Sequence, residues 1–241
     1  MNAEMMIFFV ALVIIVVFVW IIKLILFDKG KAGESRVRNM FESRLPRGEY
    51  EIIKHVTLRA GNGTTQIDHI ILSVFGIFVV ETKNKNGWIF GGENQRYWTQ
   101  VIFKYKNQFQ NPLHQNYKHT QVLQKLLGIG REKIFSLVVF VGESKFKTAM
   151  PENVTYCREA ISYIRSKRTA VMSPEQVLQA KEAILTSMLE RSSKTDREHA
   201  RHVREIIATK RKNNKPSGCF MLFLILIVVL VLIVWLRVIC S

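Results

Sequence analysis

Cysteine is scarce: Cys157, Cys219 and Cys240 are the only three in 241 residues, too few and too spread for a disulfide framework, and none sits in a paired metal-ligand spacing. A reducing interior fits that usage. No glycine-rich phosphate loop follows an expected strand, and neither His-Glu-x-x-His nor Gly-x-Ser-x-Gly occurs. Those absences set aside P-loop nucleotide hydrolysis, zinc-peptidase chemistry and serine-hydrolase chemistry. No internal repeat is visible, so a solenoid or propeller is not indicated. Acids are few as well, 19 Asp and Glu against 35 Lys and Arg, a net charge of +16 that suits a polyanionic partner.

Apolar residues are plentiful. A hydrophobic content of 48% beside that charge means the two are segregated along the chain. Residues 5–22 form an unbroken apolar run continuing past Lys23 to Phe27, and residues 219–236 form another. Each reaches the roughly 18 residues needed to cross a hydrocarbon core. The first lacks a basic start and a small-x-small cleavage site, so it reads as a retained anchor and not a leader. Neither run holds a small-xxx-small pattern or an isolated intramembrane acid, which argues against a dimerisation face, a channel or a transporter. Basic residues follow the first run (Lys29, Lys31, Arg36, Arg38) and precede the second (Arg204, Lys210, Arg211, Lys212, Lys215). By the positive-inside rule the expectation is a two-pass protein of the cell membrane, its central domain cytoplasmic and both termini outside, with Arg237 a modest counter-vote. The expected organisation is a transmembrane helix over 5–27, a domain over 31–145, a helical extension over 146–215 and a second transmembrane helix over 219–239.

Within the domain, residues 66–83 organise the rest. Two β-branched runs flank Phe75-Gly76 and read as a hairpin deep in a sheet, with charges only at its open end. A two-residue loop there sets Val74 against Ile77 and Asp68 against Lys83, with Glu81 diagonal on the same face. Two carboxylates and an ammonium then converge within about 4.5–8 Å. A three-residue loop would set Asp68 against Thr82 and scatter the group over two faces. A four-residue loop keeps the parity, and Phe75 is an imperfect residue for a tight primed turn.

Upstream, 29–32 reads as a basic linker and Gly33-Glu34 as the start of a helix whose buried face holds Glu34, Val37, Phe41 and Leu45. Glu34 is either a first-turn acid favoured by the helix dipole or an acid aimed into a site. Strands are expected over 50–58, 88–90, 97–101, 134–141 and, briefly, 154–157. Asn111-Pro112 opens a helix with Leu113, Tyr117, Thr120, Leu123 and Leu127 on one stripe and Gln115 off it. Further helices are expected over 159–167, from Ser173-Pro174 to about 191, and over 196–212. The order gives an α/β fold of α+β character and not a doubly wound nucleotide fold.

Two carboxylates at a hairpin mouth suit Mg²⁺, or Mn²⁺, which takes oxygen ligands and leaves positions for water or phosphate. Such an ion acts as a Lewis acid on a phosphoryl oxygen, and Lys83 would offset charge in the transition state. The plain alternative is a cross-strand ion pair of Asp68 and Lys83 with Glu81 solvated. A second Glu-x-Lys, at Glu143 and Lys145, lacks an acid across a hairpin, because Glu132 lies at the far end of its strand.

Gly33-Glu34-x-x-Val37, Gln66-Ile67-Asp68-His69, Val80-Glu81-Thr82-Lys83-Asn84 with Trp88 and Gly91, and Asn111-Pro112-Leu113-x-Gln115 together resemble the nuclease-related domain (NERD) family. That family is placed with the PD-(D/E)xK, restriction-endonuclease-like phosphodiesterases. The resemblance covers roughly residues 31–145 and implies a mixed sheet flanked by helices. It implies Asp68 and Glu81 as metal ligands, Lys83 as the catalytic lysine, Glu34 as a helical acid joining the site and Gln115 as a polar residue from the next helix. Ile67 stands where the wider superfamily has proline. The function implied is a membrane-anchored, Mg²⁺-dependent nuclease acting on DNA, ahead of RNA, at the cytoplasmic face. The competing reading is a catalytically silent module of the same fold that holds nucleic acid or protein at the membrane.

Lys104 and Lys106 interleave with Phe103, Tyr105 and Phe109, a mixture that fits either a nucleic-acid backbone or the solvated face of an edge strand. The basic run from Arg197 to Lys215 fits anionic lipid headgroups of the bilayer. Alternation turns His69 away from Asp68 and makes it a hydrogen-bonded core histidine. His114 and His119 are not at a one-face metal spacing, so no zinc is assigned.

Overall fold

The β-branched runs on either side of Val74-Phe75 pair as an antiparallel hairpin, β2 (Gly63–Ser73) with β3 (Gly76–Asn84), at the heart of the main sheet. The computed structural model describes residues 3–189, and along 3–28 it describes side chains only at positions 8, 11, 12 and 14–18. The main sheet has five strands. β1 (Glu51–Ala60) lies antiparallel to β2, and β7 (Ile134–Val141) and β9 (Val154–Tyr156) continue beyond β3 in parallel.

One mixed sheet was expected and two are present among the described residues. The second runs β6 (Tyr105–Gln110), β5 (Tyr97–Ile102), β4 (Gly87–Phe90), β8 (Ser144–Phe146). Glycine explains the split. β3 and β7 lie side by side in parallel, and each leaves the sheet at a left-handed glycine, Gly87 (φ +80°) and Gly142 (φ +91°). Their continuations, β4 and β8, pair in parallel again in the second sheet. A Cβ on Gly87 would collide with the Val101 carbonyl, and one on Gly142 would sit 2.6 Å from Asn86 Oδ1, so neither bend accepts a side chain.

Helices cover both faces of the main sheet. On one side α1 (Ala3–Arg44) lays Val37, Phe41 and Leu45 against Ile71, Phe78, Val80, Leu137 and Val139, joined by α3 (Cys157–Ser166) through Ala160, Ile161 and Ile164. On the other side Leu123 of α2 (Pro112–Leu127) and Ala180 and Ile184 of α4 (Pro174–Ser187) close over Val56, Leu58, Ile67, Ile70, Leu72, Ile77 and Val79. Each such fully buried aliphatic or aromatic side chain contributes about 1.5–3 kcal/mol. A capping box of Ser173 and Gln176 fixes the start of α4.

The expected linker over 29–32 is a correction: α1 runs unbroken from the apolar run through Gly30 and Gly33 to Arg44. Nothing in 28–33 forces a break, since proline is absent, and Gly33 lets the helix approach β3, where an added Cβ would lie 2.8 Å from Asn84 Cβ. Asn84 Nδ2 donates to the Lys29 carbonyl at 2.6 Å across the same approach. Over what is described, no helix is long and apolar enough to cross a membrane. The second apolar run, the helix expected over 196–212 and the basic run 197–215 lie outside the described residues.

The start of α2 is as the Asn111-Pro112 pair predicts. Asn111 Oδ1 accepts from Leu113 N at 2.9 Å, and its buried Nδ2 donates to the carbonyls of Gly92, Glu93 and Gln95. Replacing Asn111 by Ala removes a cap and strands buried acceptors, so a loss of about 2 kcal/mol is expected in urea denaturation. An unchanged midpoint would show that these bonds are dispensable. The expected stripe of α2 is displaced: Tyr117 is exposed, and Asn116 and His119 are buried in its place. Asn116 Nδ2 reaches the Val79 and Leu137 carbonyls and Ser136 Oγ, so a polar side chain serves where an apolar one was expected.

Candidate active site

The loop of the central hairpin is Val74-Phe75, with Ser73 opposite Gly76, one residue earlier than the glycine suggested. Ser73 Oγ accepts from Phe75 N and donates to the Gly76 carbonyl, both at 3.2 Å. Neither Val74 nor Phe75 takes a positive φ, so the turn is not a primed one, and the glycine follows the turn at φ +128°. A Cβ there would strike Phe135, which ties the glycine to this place. The parity is the expected one, but the register moves by two. Continuing the ladder past His69 and Val80 sets Asp68 beside Glu81, not Lys83.

Alternation breaks at Asp68. Ile53 and Val56 of β1, and Ile67 and Ile70 of β2, face one core layer although each pair is three residues apart. One residue is therefore out of phase in each strand. The β1–β2 pairing skips His55 and Asp68, and His55 carries φ +52°, an uncommon conformation for a residue with a side chain. Out of phase, Asp68 spends its side chain on β3: Oδ2 accepts from Thr82 N at 2.8 Å, where the β2–β3 ladder has ended.

Glu81, 3% exposed, is hydrogen-bonded at one oxygen and bordered by a histidine at the other. Lys83 Nζ donates to Oε1 at 2.6 Å and to Gln115 Oε1 at 2.9 Å, so α2 joins the strand at the lysine. His119 Nε2 lies 3.3 Å from Oε2, and the Nδ1 of the same ring is 2.7 Å from Thr65 Oγ1. Neither Oε2 nor Nε2 is in hydrogen-bonding geometry with a partner among the described residues. Glu34 lies 3.3 Å from His55 Nδ1, on the α1 side, and its charge reaches Asp68.

These neighbours split the two carboxyls. Burial, then the charges of Glu81 and Glu34, push Asp68 well above the usual carboxylate range, against the Thr82 N–H and Lys83. Burial pushes Glu81 up too, but Lys83 and His119 outweigh it, so its carboxyl sits low. Like charges this close do not both ionise easily without a cation. His69 is buried on the α1 side, edge-on to Phe41, and burial, helped by the charges of His55, Arg38 and Lys54, lowers its pKa to about 4. It is a core histidine as expected, and its Nδ1 has no hydrogen-bond partner among the described residues.

The donor set fits a hard divalent cation: two carboxylates, one offering a buried oxygen with no hydrogen bond. Among the described residues no group of three or more His, Cys, Asp and Glu side chains closes around a metal, so water or substrate would complete the sphere, as Mg²⁺ tolerates.

The family model for the nuclease-related domain matches residues 29–141. Residues 29–141 are a nuclease-related domain. The PD-(D/E)xK-like superfamily is the general kind of this nuclease-related domain. Over 100 residues the chain is 51% identical to an uncharacterized protein of Bacillus anthracis, a match covering 41% of this chain and 47% of that one. The chain thus spans about half the length of the curated relative it matches. The structure of Pyrococcus furiosus SfsA in complex with Ca²⁺ is 20% identical, covering 63% of this chain and 52% of that one, at a TM-score of 0.25, too low to carry an argument.

The nuclease-related domain thus brings Asp68, Glu81, Lys83 and Gln115 to one mouth, with Glu34 approaching from the opposite side of the sheet. His119, Thr65 and His55 were not singled out from sequence for this cluster. His119 had a signal, standing one helical turn after Gln115. His55 had none, because nothing in its surroundings announces a left-handed backbone.

Proposed function

We propose that the nuclease-related domain is a Mg²⁺-dependent (or Mn²⁺-dependent) phosphodiesterase acting on DNA, tethered to the cytoplasmic face of the cell membrane. The observation that carries this reading is the convergence of Asp68, Glu81 and Lys83, with Lys83 braced between Glu81 and Gln115. Asp68 and Glu81 would hold the ion, which when bound supplies Lewis-acid polarisation of a phosphoryl group. Lys83 places a fixed positive charge beside the charge that develops on the phosphate during displacement. His119, whose ring is bonded to Thr65, borders Glu81 from behind, and the charge of Glu34 acts on Asp68. The excess of basic residues favours a polyanionic substrate.

The tether rests on the apolar run and on its exposure. Ile14, Ile15, Val16, Val17 and Phe18 are consecutive, span the full circumference of α1 and are all exposed. A helix apolar all round in that way seeks an apolar surrounding. The basic residues beside each run favour the orientation with the domain inside, and the run from Arg197 to Lys215 would add contact with anionic headgroups.

A second reading has its own support. Lys83 already neutralises one Glu81 oxygen and His119 borders the other, so the cluster can also serve as a self-contained brace in a silent binding module. Metal-dependent cleavage of DNA by the full chain separates the two. Activity that needs Mg²⁺ or Mn²⁺, vanishes with chelator and falls about 10²-fold or more in Lys83→Ala while DNA binding persists supports the enzyme. Equal trace activity in wild type and Lys83→Ala supports the module.

A further inference from the structure

The outward face of the second sheet is not used by the site. Its pairing lines up Lys145 of β8, Trp88 of β4, Val101 of β5 and Lys106 of β6 as one row across four strands. Neighbouring strands lie about 4.8 Å apart, so the indole sits one strand from one lysine and two from the other. Trp88 is 51% exposed, whereas its neighbour Ile89, turned to the opposite face, is fully buried. A third lysine, Lys147, rests its Nζ 4.4 Å from the centre of the Trp88 ring. Base outnumbers acid: over residues 85–110 and 143–147, Lys85, Arg96, Lys104, Lys106, Lys145 and Lys147 stand against Glu93 and Glu143.

We infer that this face is a binding platform for single-stranded nucleic acid, with Trp88 stacking on a base and Lys106, Lys145 and Lys147 meeting the phosphates. The inference deepens the nucleic-acid reading of the site and rests on it. A large planar side chain left in solvent amid ammonium groups matches the two needs of an unpaired strand, a π surface for each base and positive charge for the backbone. A paired base in a duplex presents only its edge, which a flat sheet face with a central indole does not read. The row next to it on this face, Phe90, Thr99 and Gln108, is mostly polar, which disfavours immersion in lipid. Trp88 follows Lys83 by five residues, at most about 17 Å of extended chain, so a strand on the platform reaches the mouth within a few nucleotides.

The test measures binding of oligothymidylate to the full chain without divalent metal. Trp88→Ala is expected to weaken binding about fivefold or more, Trp88→Phe to restore most of it, and Lys145→Glu with Lys147→Glu to weaken it and flatten the salt dependence. Unchanged affinity in Trp88→Ala at an unaltered melting temperature overturns the inference. So does binding of duplex that ignores Trp88, or capture by phosphatidylglycerol vesicles with no binding of the oligonucleotide. Trp88-dependent binding without metal-dependent cleavage sinks the phosphodiesterase and leaves the platform standing. Cleavage with Trp88-independent binding does the reverse.

Discussion

Asp68→Asn is expected to abolish metal-dependent cleavage, by about 10³-fold, and at the same time to raise the melting temperature of the metal-free protein at neutral pH. The two effects have one cause. The native carboxyl is half-buried beside Glu81 and within reach of Glu34, and it titrates well above its ordinary range. A group raised in this way binds its proton more tightly when folded, so its contribution to stability is present at low pH and is lost as pH rises through the folded pKa. At neutral pH the native protein therefore carries strain that asparagine does not. Asparagine keeps an oxygen for Thr82 N, so the strand junction survives. The expected gain is a few degrees, the shift that about 1 kcal/mol produces in a domain of this size, and it should shrink as the solution is acidified. Saturating Mg²⁺ should stabilise the native protein and not the variant. If Asp68 were instead half of a structural ion pair, asparagine would lower the melting temperature at neutral pH and magnesium would make no difference. That pattern would remove the metal site.

Acid should unfold the protein partly through His69. The ring is 1% exposed and its pKa is lowered to about 4, whereas in the unfolded chain it titrates at the ordinary histidine value of about 6.5. The unfolded state therefore takes up a proton first, and stability is complete above the unfolded pKa and drains away as pH falls toward the folded one. Across that window the loss is about 3 kcal/mol. His69→Leu replaces the ring with an apolar side chain against Phe41 and should remove this part of the acid sensitivity. Urea midpoints at about pH 7 and about pH 4.5 read it directly, and an equal drop in both proteins would place the acid sensitivity elsewhere.

Much of this molecule was legible from side-chain chemistry. Asn111-Pro112 and Ser173-Pro174 mark their helices because caps act locally, and the apolar 134–141 run can only be a buried strand. The convergence of Asp68, Glu81, Lys83 and Gln115 was reachable because strand parity and four motifs agree with the match over residues 29–141. The pairing of Asp68 was not. It depends on a turn set by the Ser73 hydroxyl and by Phe135 behind Gly76, contacts that come from elsewhere in the chain. The second sheet was hidden for a similar reason: two glycines more than fifty residues apart bend in concert, and only the β3–β7 pairing makes them one corner. His119 lies one helical turn beyond Gln115, but only the fold brings Thr65 and Glu81 to its ring.

The unbroken course of α1 has a mechanical corollary. Glu34 and the exposed Phe18 stand sixteen residues apart on a single rod, about 24 Å at helical rise. Because Val37 and Phe41 lock the inner end of that rod against the main sheet, the placement of Glu34 and the direction in which the exposed apolar end leaves the domain are fixed together.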